Sequence, residues 1–426
     1  MNRTYRAFFL LVSALFLSSI PGKGQITVEG ANLGLFTPEE LIYNVFLGSG
    51  IEITDVEYFG NDAAVGFFSN GNDDIRIGEG ILMTSGQATF AQDPNNQPNT
   101  TQAWGQPTTD VDLDPIASGP LFDKAHYEIT FVPSGDTIRF NYVFASEEYP
   151  EYACTDFNDV FGFFLRGPDP MGGDYGGKNI ALVPDPIDPS GQTFTNVPVA
   201  INNINSNGFD PGNGCAFDYS VYYNSIAAGE TPTYDAHLSV FTALAEVIPC
   251  ETYTIKLIVS DVGDDLFDTG IFLEGKSFGG GVPQVQTLTV GQDGIIAEGC
   301  AEGSLVFSIP FPSQNPIDYT FSVVGEAEWG IDYAPFQTSF TISPPDTFAI
   351  IPISVFQDGL IEGVESLGID IQLTPCRRDT FFFFIEDQQM VPPDLPEFVS
   401  NCAGPIQLDG TLDIALPEPD TFYSTG

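Results

Sequence analysis

Short runs of alternating apolar and polar residues, separated by turn-forming residues, constrain the fold of this chain more than any other feature. In HYEITFVP, the apolar residues Tyr127, Ile129 and Phe131 alternate with polar ones, and DTIRFNYVFA continues the alternation after the turn PSGD. A period of two residues places every second side chain on the same face of a strand. Similar runs recur along the chain between clusters of Gly, Pro, Asn and Asp. The sequence therefore predicts an all-β fold made of tandem β-sandwich domains.

One segment near the amino end departs from the strand pattern. TPEELIYNVFLGSG begins with Thr37 in the N-cap position, followed by Pro38 and Glu40, and ends at a glycine. These residues are the start and stop signals of a helix. We predict one short N-terminal helix here.

The first 24 residues have the features of a signal peptide. Arg3 and Arg6 precede an apolar run that is followed by small residues. This run is too short to cross a bilayer, and no later segment is long and apolar enough to do so. We expect a chain that is exported, either secreted or held at the cell surface, with no membrane insertion of the mature protein.

Composition shifts along the chain predict its domain boundaries. The run FGGGVPQVQ interrupts the strand pattern, and MVPPDLPEF is a proline-stiffened linker. We predict a first β-rich domain over 25–278, a linker over 279–286, a second sandwich over 287–388, and a linker with an incomplete third module over 389–426. The unfinished pattern at the end leads us to expect a truncated reading frame or a fragment.

The charge of the chain limits its partners. There are 58 acidic and 12 basic residues, giving a formal net charge of −46. A negative field of this size repels nucleic acid and attracts cations. Bound calcium would relieve the repulsion, and a solvated acidic coat is the alternative.

Three familiar catalytic motifs can be rejected, because the residues around them do not form the structure that each motif requires. Gly270 to Ser277 fits the phosphate-loop pattern and Gly275 to Gly279 fits the nucleophile elbow, but both motifs require a helix where this sequence predicts a strand followed by glycines. Zinc chemistry lacks a ligand set, because the chain has only two histidines, His126 and His237, and no C-x-x-C pair. A secreted hydrolase of polysaccharide or protein stays open as an alternative, with Glu147, Asp159 or Asp261 as its catalytic acids.

Carboxylates crowd three stretches that we assign to loops. Several oxygen ligands close together suit a hard cation such as calcium. In TTDVDLDP, an extended backbone would point Asp110, Asp112 and Asp114 the same way. The predicted ligands in the first domain are Asp110, Asp112, Glu147, Glu148, Asp159, Asp261, Asp264, Asp265 and Asp268.

Six cysteines in an exported chain favour disulfides. Cys154 lies inside the acidic segment, and Cys215 follows at a distance that suits a loop-closing bridge, so we predict a Cys154–Cys215 disulfide. Cys300 and Cys376 begin and end the second sandwich and are predicted to pair. Cys250 and Cys402 receive no assigned partner.

Two blocks, FASEEYPEYACTDFNDVFGFFLRGP and SDVGDDLFDTGIFLEGKSF, resemble the choice-of-anchor L domain over about residues 30 to 278. The resemblance implies a bacterial surface or secreted module whose parent proteins attach to the cell through varied C-terminal devices, often in bacteria with type IX secretion. It implies no enzymatic activity.

Residues 298 to 388 resemble a Calx-beta domain more weakly, through GIDYAPFQTSF and DGLIEGVES. This resemblance implies a β-sandwich with calcium ligands at Glu298, Asp332, Glu362 and Asp387. Gln357 and Gln388 stand where the family has acids, which weakens the expected calcium binding.

These observations support a non-catalytic β-rich module, secreted or at the cell surface, that serves in adhesion or attachment and contains structural calcium. Surface glycans or other cell-surface proteins are the expected partners. Besides the hydrolase, a ligand-free surface spacer is the remaining alternative.

Overall fold

The computed structural model describes residues 25–386, except for gaps at 98, 106, 189–192, 209–211, 213–214, 282–283, 289–294, 299–302, 310–315 and 358–361. The predicted signal peptide and the predicted third module lie outside the described residues. The chain divides into two compact units after Gly280. Strands dominate both units, so the predicted all-β class is confirmed.

The first unit contains two main sheets and one two-stranded sheet. Its described strands are β1 (Thr27–Gly30), β2 (Ile51–Phe59), β3 (Val65–Ser69), β4 (Glu79–Thr84), β5 (Leu121–Pro133), β6 (Thr137–Ser146), β7 (Val160–Arg166), β8 (Lys178–Asn179), β9 (Leu182–Pro184), β10 (Phe194–Pro198), β11 (Tyr223–Ser225), β12 (Ala236–Leu238), β13 (Phe241–Glu246), β14 (Tyr253–Val262), β15 (Thr269–Glu274) and β16 (Gly279–Gly280).

The larger sheet has the strand order β1-β3-β4-β15-β6-β12-β11, and β13 and β16 also pair with β6. The second sheet has the order β2-β5-β14-β7-β8, and β9 pairs with β10. Neighbouring strands run antiparallel. The turn PSGD does not close a hairpin, because β5 and β6 belong to different sheets.

The core of the first unit follows from the two-residue period of the strands. On β6, Phe140, Tyr142 and Phe144 belong to the main core cluster, together with inward residues of β5, β7 and β14. The alternate residues Val143 and Ala145 pack in a separate cluster on the opposite face of the sheet. Both faces of the central strands are therefore buried, and β7 and β15 are buried at every position but the last.

The predicted N-terminal helix is present but short. α1 spans Pro38–Leu41, and a π-helical turn follows at Ile42–Phe46. Thr37 and Glu40 form the predicted capping box, in which each side chain accepts a hydrogen bond from the other's backbone N–H. Short 3-10 turns occur at Ala31–Leu33, Asp62–Ala64, Ala88–Gln92 and Ser220–Tyr222. Within the described residues, every helix is too short or too polar to cross a membrane.

The residues of the rejected phosphate loop form a strand, as the sequence predicts. Gly270 to Glu274 lie in β15, between β4 and β6. Lys276 then occupies a turn with φ of +60° and donates from Nζ to the Asn44 carbonyl.

The second unit contains two further sheets. Its described strands are β17 (Gln284–Leu288), β18 (Ile295–Ala297), β19 (Gly303–Ser308), β20 (Ile317–Gly325), β21 (Ser339–Ile342), β22 (Phe348–Ile353), β23 (Val364–Thr374) and β24 (Arg377–Glu386). The sheet orders are β17-β19-β22 and β18-β24-β23-β20-β21, with β18 parallel to β24. The predicted linker over 279–286 is wrong in its bounds, because Gly279–Gly280 pair with β6 and β17 begins at Gln284.

The Phe140 ring is a packing centre of the first unit. It is fully buried and contacts the rings of Phe46, Tyr142, Phe163 and Phe278, with centroids 4.9 to 6.5 Å away. We expect Phe140→Ala to lower the free energy of unfolding of this unit by about 3–5 kcal/mol, because it removes these contacts and leaves a cavity.

The measurement is urea unfolding followed by Trp104 fluorescence in a Trp329→Phe background, since these are the two tryptophans of the chain. The control is Leu33→Ala, at a side chain that is 70% exposed, which should change the free energy by less than about 0.5 kcal/mol. Equal effects of the two substitutions would contradict this account of the core.

Candidate functional site

Antiparallel pairing gathers acids from distant stretches at one end of the first unit. Glu147 and Glu148 directly follow β6, and Asp268 directly precedes β15; Ser146 pairs with Thr269 where these strands meet. In the other sheet, Asp159 directly precedes β7, and Ser260 beside Asp261 pairs with Val160. We call the six acids Asp123, Glu147, Glu148, Asp159, Asp261 and Asp268 the acidic cluster. All six are buried.

Asp261 is the most unusual member of the acidic cluster. The register between β14 and β5 shifts between Val259 and Asp261, and a bulge of this kind redirects a side chain. The Asp261 side chain is 1% exposed, and neither carboxyl oxygen has a partner at ordinary hydrogen-bond geometry; Ser85 and Asp159 interact with it only weakly. Buried polar atoms without a partner are rare and costly in native proteins.

Asp159 connects the two sheets. Its Oδ1 accepts from the Val262 amide at 2.9 Å, and its Oδ2 accepts from the Thr269 hydroxyl at 2.6 Å. Thr269 also contacts the Ser146 hydroxyl at 2.9 Å. The Asp159 carboxyl group is therefore held in one orientation beside Asp261.

The segment from Thr101 to Gly105 donates hydrogen bonds to two members of the acidic cluster. The Thr101 hydroxyl and the Gln102 amide donate to Asp268, and the Trp104 and Gly105 amides donate to Asp123.

Trp104 of this segment also contacts Gly86, which lies against Asp268. The Trp104 indole donates to the Gly86 carbonyl at 3.2 Å. A Cβ on Gly86 would collide with the Asp268 carboxylate, so only glycine fits there.

The two glutamates are buried beside these aspartates. Each is 1% exposed and has an Oε2 atom without a hydrogen-bond partner. Glu147 Oε1 receives one long hydrogen bond from Thr233 at 3.4 Å, and the Glu148 amide donates to Ser146 Oγ at 2.9 Å.

Burial and mutual repulsion raise the pKa values in the acidic cluster. Burial is the main cause for every member, and neighbouring acids add to it. The pKa of Glu147 and of Glu148 rises to about 9, that of Asp159 and of Asp268 to about 7, and that of Asp261 well above its usual range. The described part of the chain contains no ion pair that involves any of these acids.

Asp110 and Asp112 lie apart from this arrangement and have cationic partners. Lys256, itself buried, contacts Asp110 at 2.6 Å and Asp112 at 3.2 Å, while Lys124 pairs with Asp110 and Arg166 with Asp112. Burial alone would raise the pKa of Asp110, but hydrogen bonds from Lys256, the Asp112 amide and Lys124, together with the charge of Lys256, lower it to about 2.

The predicted extended backbone at TTDVDLDP is also wrong. Residues 111–116 form turns, in which the Asp114 amide donates to the Asp110 carbonyl and Asp114 Oδ1 accepts from the Asp110 amide. These ion pairs and turns account for the acids of this loop without a metal ion.

Asp264 and Asp265 are half-buried in the loop between β14 and β15. Asp264 Oδ1 accepts from the Leu266 amide at 3.1 Å. Their charges raise the pKa of buried neighbours, Asp264 that of Glu148 and Asp265 that of Asp123.

The second unit brings together two of its four predicted ligands. Carboxyl oxygens of Asp332, Glu362 and Glu365 lie within 4.8 Å of one another. Asp332 is buried, with Oδ1 lacking a donor and Oδ2 accepting from the Glu328 amide. Glu298 is buried next to β24, where its amide donates to the Glu386 carbonyl, and Asp387 lies outside the described residues.

Glu365 was missed at the level of sequence. It directly follows the start of β23, where strand alternation gives no sign that it meets Asp332. Burial, with Asp332 next, raises the pKa of Glu365 to about 7.

The predicted Cys154–Cys215 disulfide is present, with the Cα atoms 4.9 Å apart. It anchors the segment between Glu148 and Asp159. Cys250 and Cys376 are disulfide-bonded as well, and Cys300, the predicted partner of Cys376, lies outside the described residues.

Loss of the buried lysine should be costly. We expect Lys256→Met to lower the free energy of unfolding of the first unit by about 3 kcal/mol, because Asp110 and Asp112 lose the buried lysine that they share and keep only the more exposed Lys124 and Arg166. Lys178→Met is the matched control at an exposed lysine, and its effect should stay within about 0.5 kcal/mol. Urea unfolding followed by Trp104 measures both, and a small loss for Lys256→Met would refute the role given to this ion network.

The raised pKa values predict an alkaline loss of stability when a chelator is present. A folded-state pKa above the unfolded one contributes stability below the unfolded value of about 4.5, and this contribution disappears as pH rises through the folded value. The free energy of unfolding of the first unit should therefore fall between about pH 5 and about pH 9. Glu147→Gln should reduce the slope, and a flat profile in the unsubstituted chain would show that these acids are ionised without cost.

Comparison with known proteins identifies the first unit. Residues 30–279, more than half of the chain, match the choice-of-anchor L domain. The Calx-beta resemblance of the second unit receives no support. No curated protein matches the chain.

Among solved structures, the N-terminal domain of the Streptococcus gordonii adhesin Sgo0707 aligns with 78% of this chain and 81% of its own, at 8% identity and a TM-score of 0.19. A score this low carries no argument about fold or function. The extensive match over residues 30–279 places this chain in the choice-of-anchor L domain family.

Proposed function

We propose that this chain is a non-catalytic β-rich module, secreted or displayed at the cell surface, that serves in adhesion or attachment to surface glycans or other cell-surface proteins. Membership of the choice-of-anchor L family supports a surface role. The Cys154–Cys215 disulfide fits an oxidising, extracellular environment.

The burial of the acidic cluster is the observation that carries the non-catalytic part of the proposal. Glu147, Asp159 and Asp261, the acids of the hydrolase alternative, are each 1% exposed or less. General acid–base catalysis requires the acid to lie within hydrogen-bond reach of the substrate. In this fold these acids are buried away from solvent, which favours a structural role for them.

The segment that follows Cys215 offers a contact surface. Phe217 is 37% exposed and Val221 70% exposed, and the Phe217 ring stacks on Tyr219 with centroids 5.8 Å apart. The disulfide fixes one end of this segment. Aromatic side chains held in place provide much of the binding energy at interfaces.

Structural calcium is part of the proposal for the second unit. Asp332, Glu362 and Glu365 supply three carboxylates within 4.8 Å, and hard cations such as calcium take carboxylate oxygens. The unpartnered Oδ1 of Asp332 supports this assignment.

The test of adhesion is binding of the chain to a panel of glycans and intact cells. We expect binding by the unsubstituted chain and a loss of about tenfold or more in affinity for Phe217→Ala, because truncation of an anchoring ring removes more than about 1.4 kcal/mol. Phe384→Ala, at a ring 40% exposed in the second unit, is the control and should bind normally.

If the unsubstituted chain binds no glycan and no cell in the panel, the result would support the ligand-free spacer instead. Turnover of any glycan that Asp261→Asn abolishes would support the hydrolase. Either result would replace the adhesive function.

A further inference from the structure

We propose that Asp261, Asp159 and Glu148 form a second, separate binding site for one divalent cation of the calcium class, inside the first unit. The inference goes beyond adhesion, since a cation at this position acts on the stability of the fold whether or not the module has a partner. It rests on the charge balance, the unpartnered oxygens and the rigidity of the surrounding chain.

The charge balance of the three acids requires a compensating group. Of the neighbouring acids, Asp159 raises the pKa of both Asp261 and Glu148 the most, and within the described residues neither of the two forms an ion pair. Buried charge without a partner costs several kcal/mol, so such groups take up protons or bind a cation. One divalent ion would neutralise two of the three carboxylates.

The donor atoms are of one chemical type. Asp261 offers two oxygens and Glu148 one, all buried and without a partner at ordinary hydrogen-bond geometry. Each Asp159 oxygen accepts a single hydrogen bond, from Val262 or Thr269, and so retains a free lone pair. A set made only of carboxylate oxygens selects calcium, magnesium or manganese over zinc or copper.

The surrounding chain holds these groups in place. The bulge at the end of β14 directs Asp261, and the hydrogen bonds from Val262 and Thr269 fix Asp159. The disulfide at Cys154 restrains the segment that joins Glu148 to Asp159. Supporting contacts of this kind orient metal ligands and raise affinity.

Among the described residues, the carboxylates of the second unit lie within 4.8 Å of one another and these three do not. Binding of an ion therefore requires Glu148, whose side chain is the least constrained by hydrogen bonds of the three, to move towards Asp159 and Asp261. Water would complete the coordination, since calcium takes six to eight oxygens.

The experiment uses the full chain with Trp329→Phe, so that thermal unfolding of the first unit is read from Trp104. Trp104 is well placed, because its amide donates to Asp123 and its indole to Gly86. After dialysis against chelator, calcium at about a hundredfold its dissociation constant should raise the melting midpoint by about 5 °C or more. Magnesium and manganese are compared in parallel.

Two variants test whether the calcium-dependent rise of the melting midpoint comes from this site. Asp261→Asn and Glu148→Gln should each abolish most of the calcium-dependent shift, and both are expected to fold because they remove a buried charge. Asp332→Asn, in the second unit, is the matched control and should leave the shift of the first unit intact.

Either of two results would overturn the site. If no divalent ion moves the Trp104 transition of the unsubstituted chain, the acids are protonated in the folded state. If the shift survives in Asp261→Asn and Glu148→Gln, the ion binds elsewhere. Neither readout involves a surface or a glycan, so failure of the cation site is distinguishable from failure of the adhesive function.

Discussion

The burial of six carboxyl groups at one end of the first unit is the constraint on which much of this structure depends. Pairing of β6 with β15 and of β14 with β7 brings these acids together, and the hydrophobic core leaves them little contact with water. Desolvation and mutual repulsion oppose their ionisation. The fold must therefore supply hydrogen bonds, protons or a cation, and it supplies well-aligned amide and hydroxyl donors to Asp159, Asp268 and Asp123 but not to Asp261.

The scarcity of basic residues explains why the acidic cluster has no side-chain counter-charge. The chain has 12 lysines and arginines for 58 acids, and three of the basic residues surround Asp110 and Asp112. With these partners the pKa of Asp110 falls to about 2 in spite of its burial. The same fold thus treats buried acids in two opposite ways, according to whether a lysine such as Lys256 reaches them.

The two kinds of buried acid, those paired with lysine and those without an ion pair, respond differently to the surroundings. An ion network of Asp110 with Lys256 stabilises one fixed arrangement of strands and responds little to the surroundings. The stability that the acidic cluster contributes changes with pH, and a cation at the proposed site would make it depend on divalent ions as well. The segment from Thr101 to Gly105 donates hydrogen bonds to Asp268 and Asp123, and the disulfide at Cys154 restrains the segment between Glu148 and Asp159.

Local patterns in the sequence determined the secondary structure and the family. The two-residue period predicted the strands around Phe140 and in β15, and the Thr37–Glu40 capping box predicted the short helix, because these signals depend on residues close together in the chain. Cys154 and Cys215 were also paired correctly from their positions. The sequence likewise indicated that acids at strand ends are concentrated near Glu147 and Asp261.

Only the tertiary structure decided which acids meet and what faces them. Asp110 and Asp112 were grouped with the other acids by composition, yet they face Lys256, which lies more than a hundred residues away in sequence. Glu365 joins Asp332 in the second unit for the same kind of reason. Strand order, register and the bulge before Asp261 set these encounters, and they arise from long-range pairing that no local spacing of residues encodes.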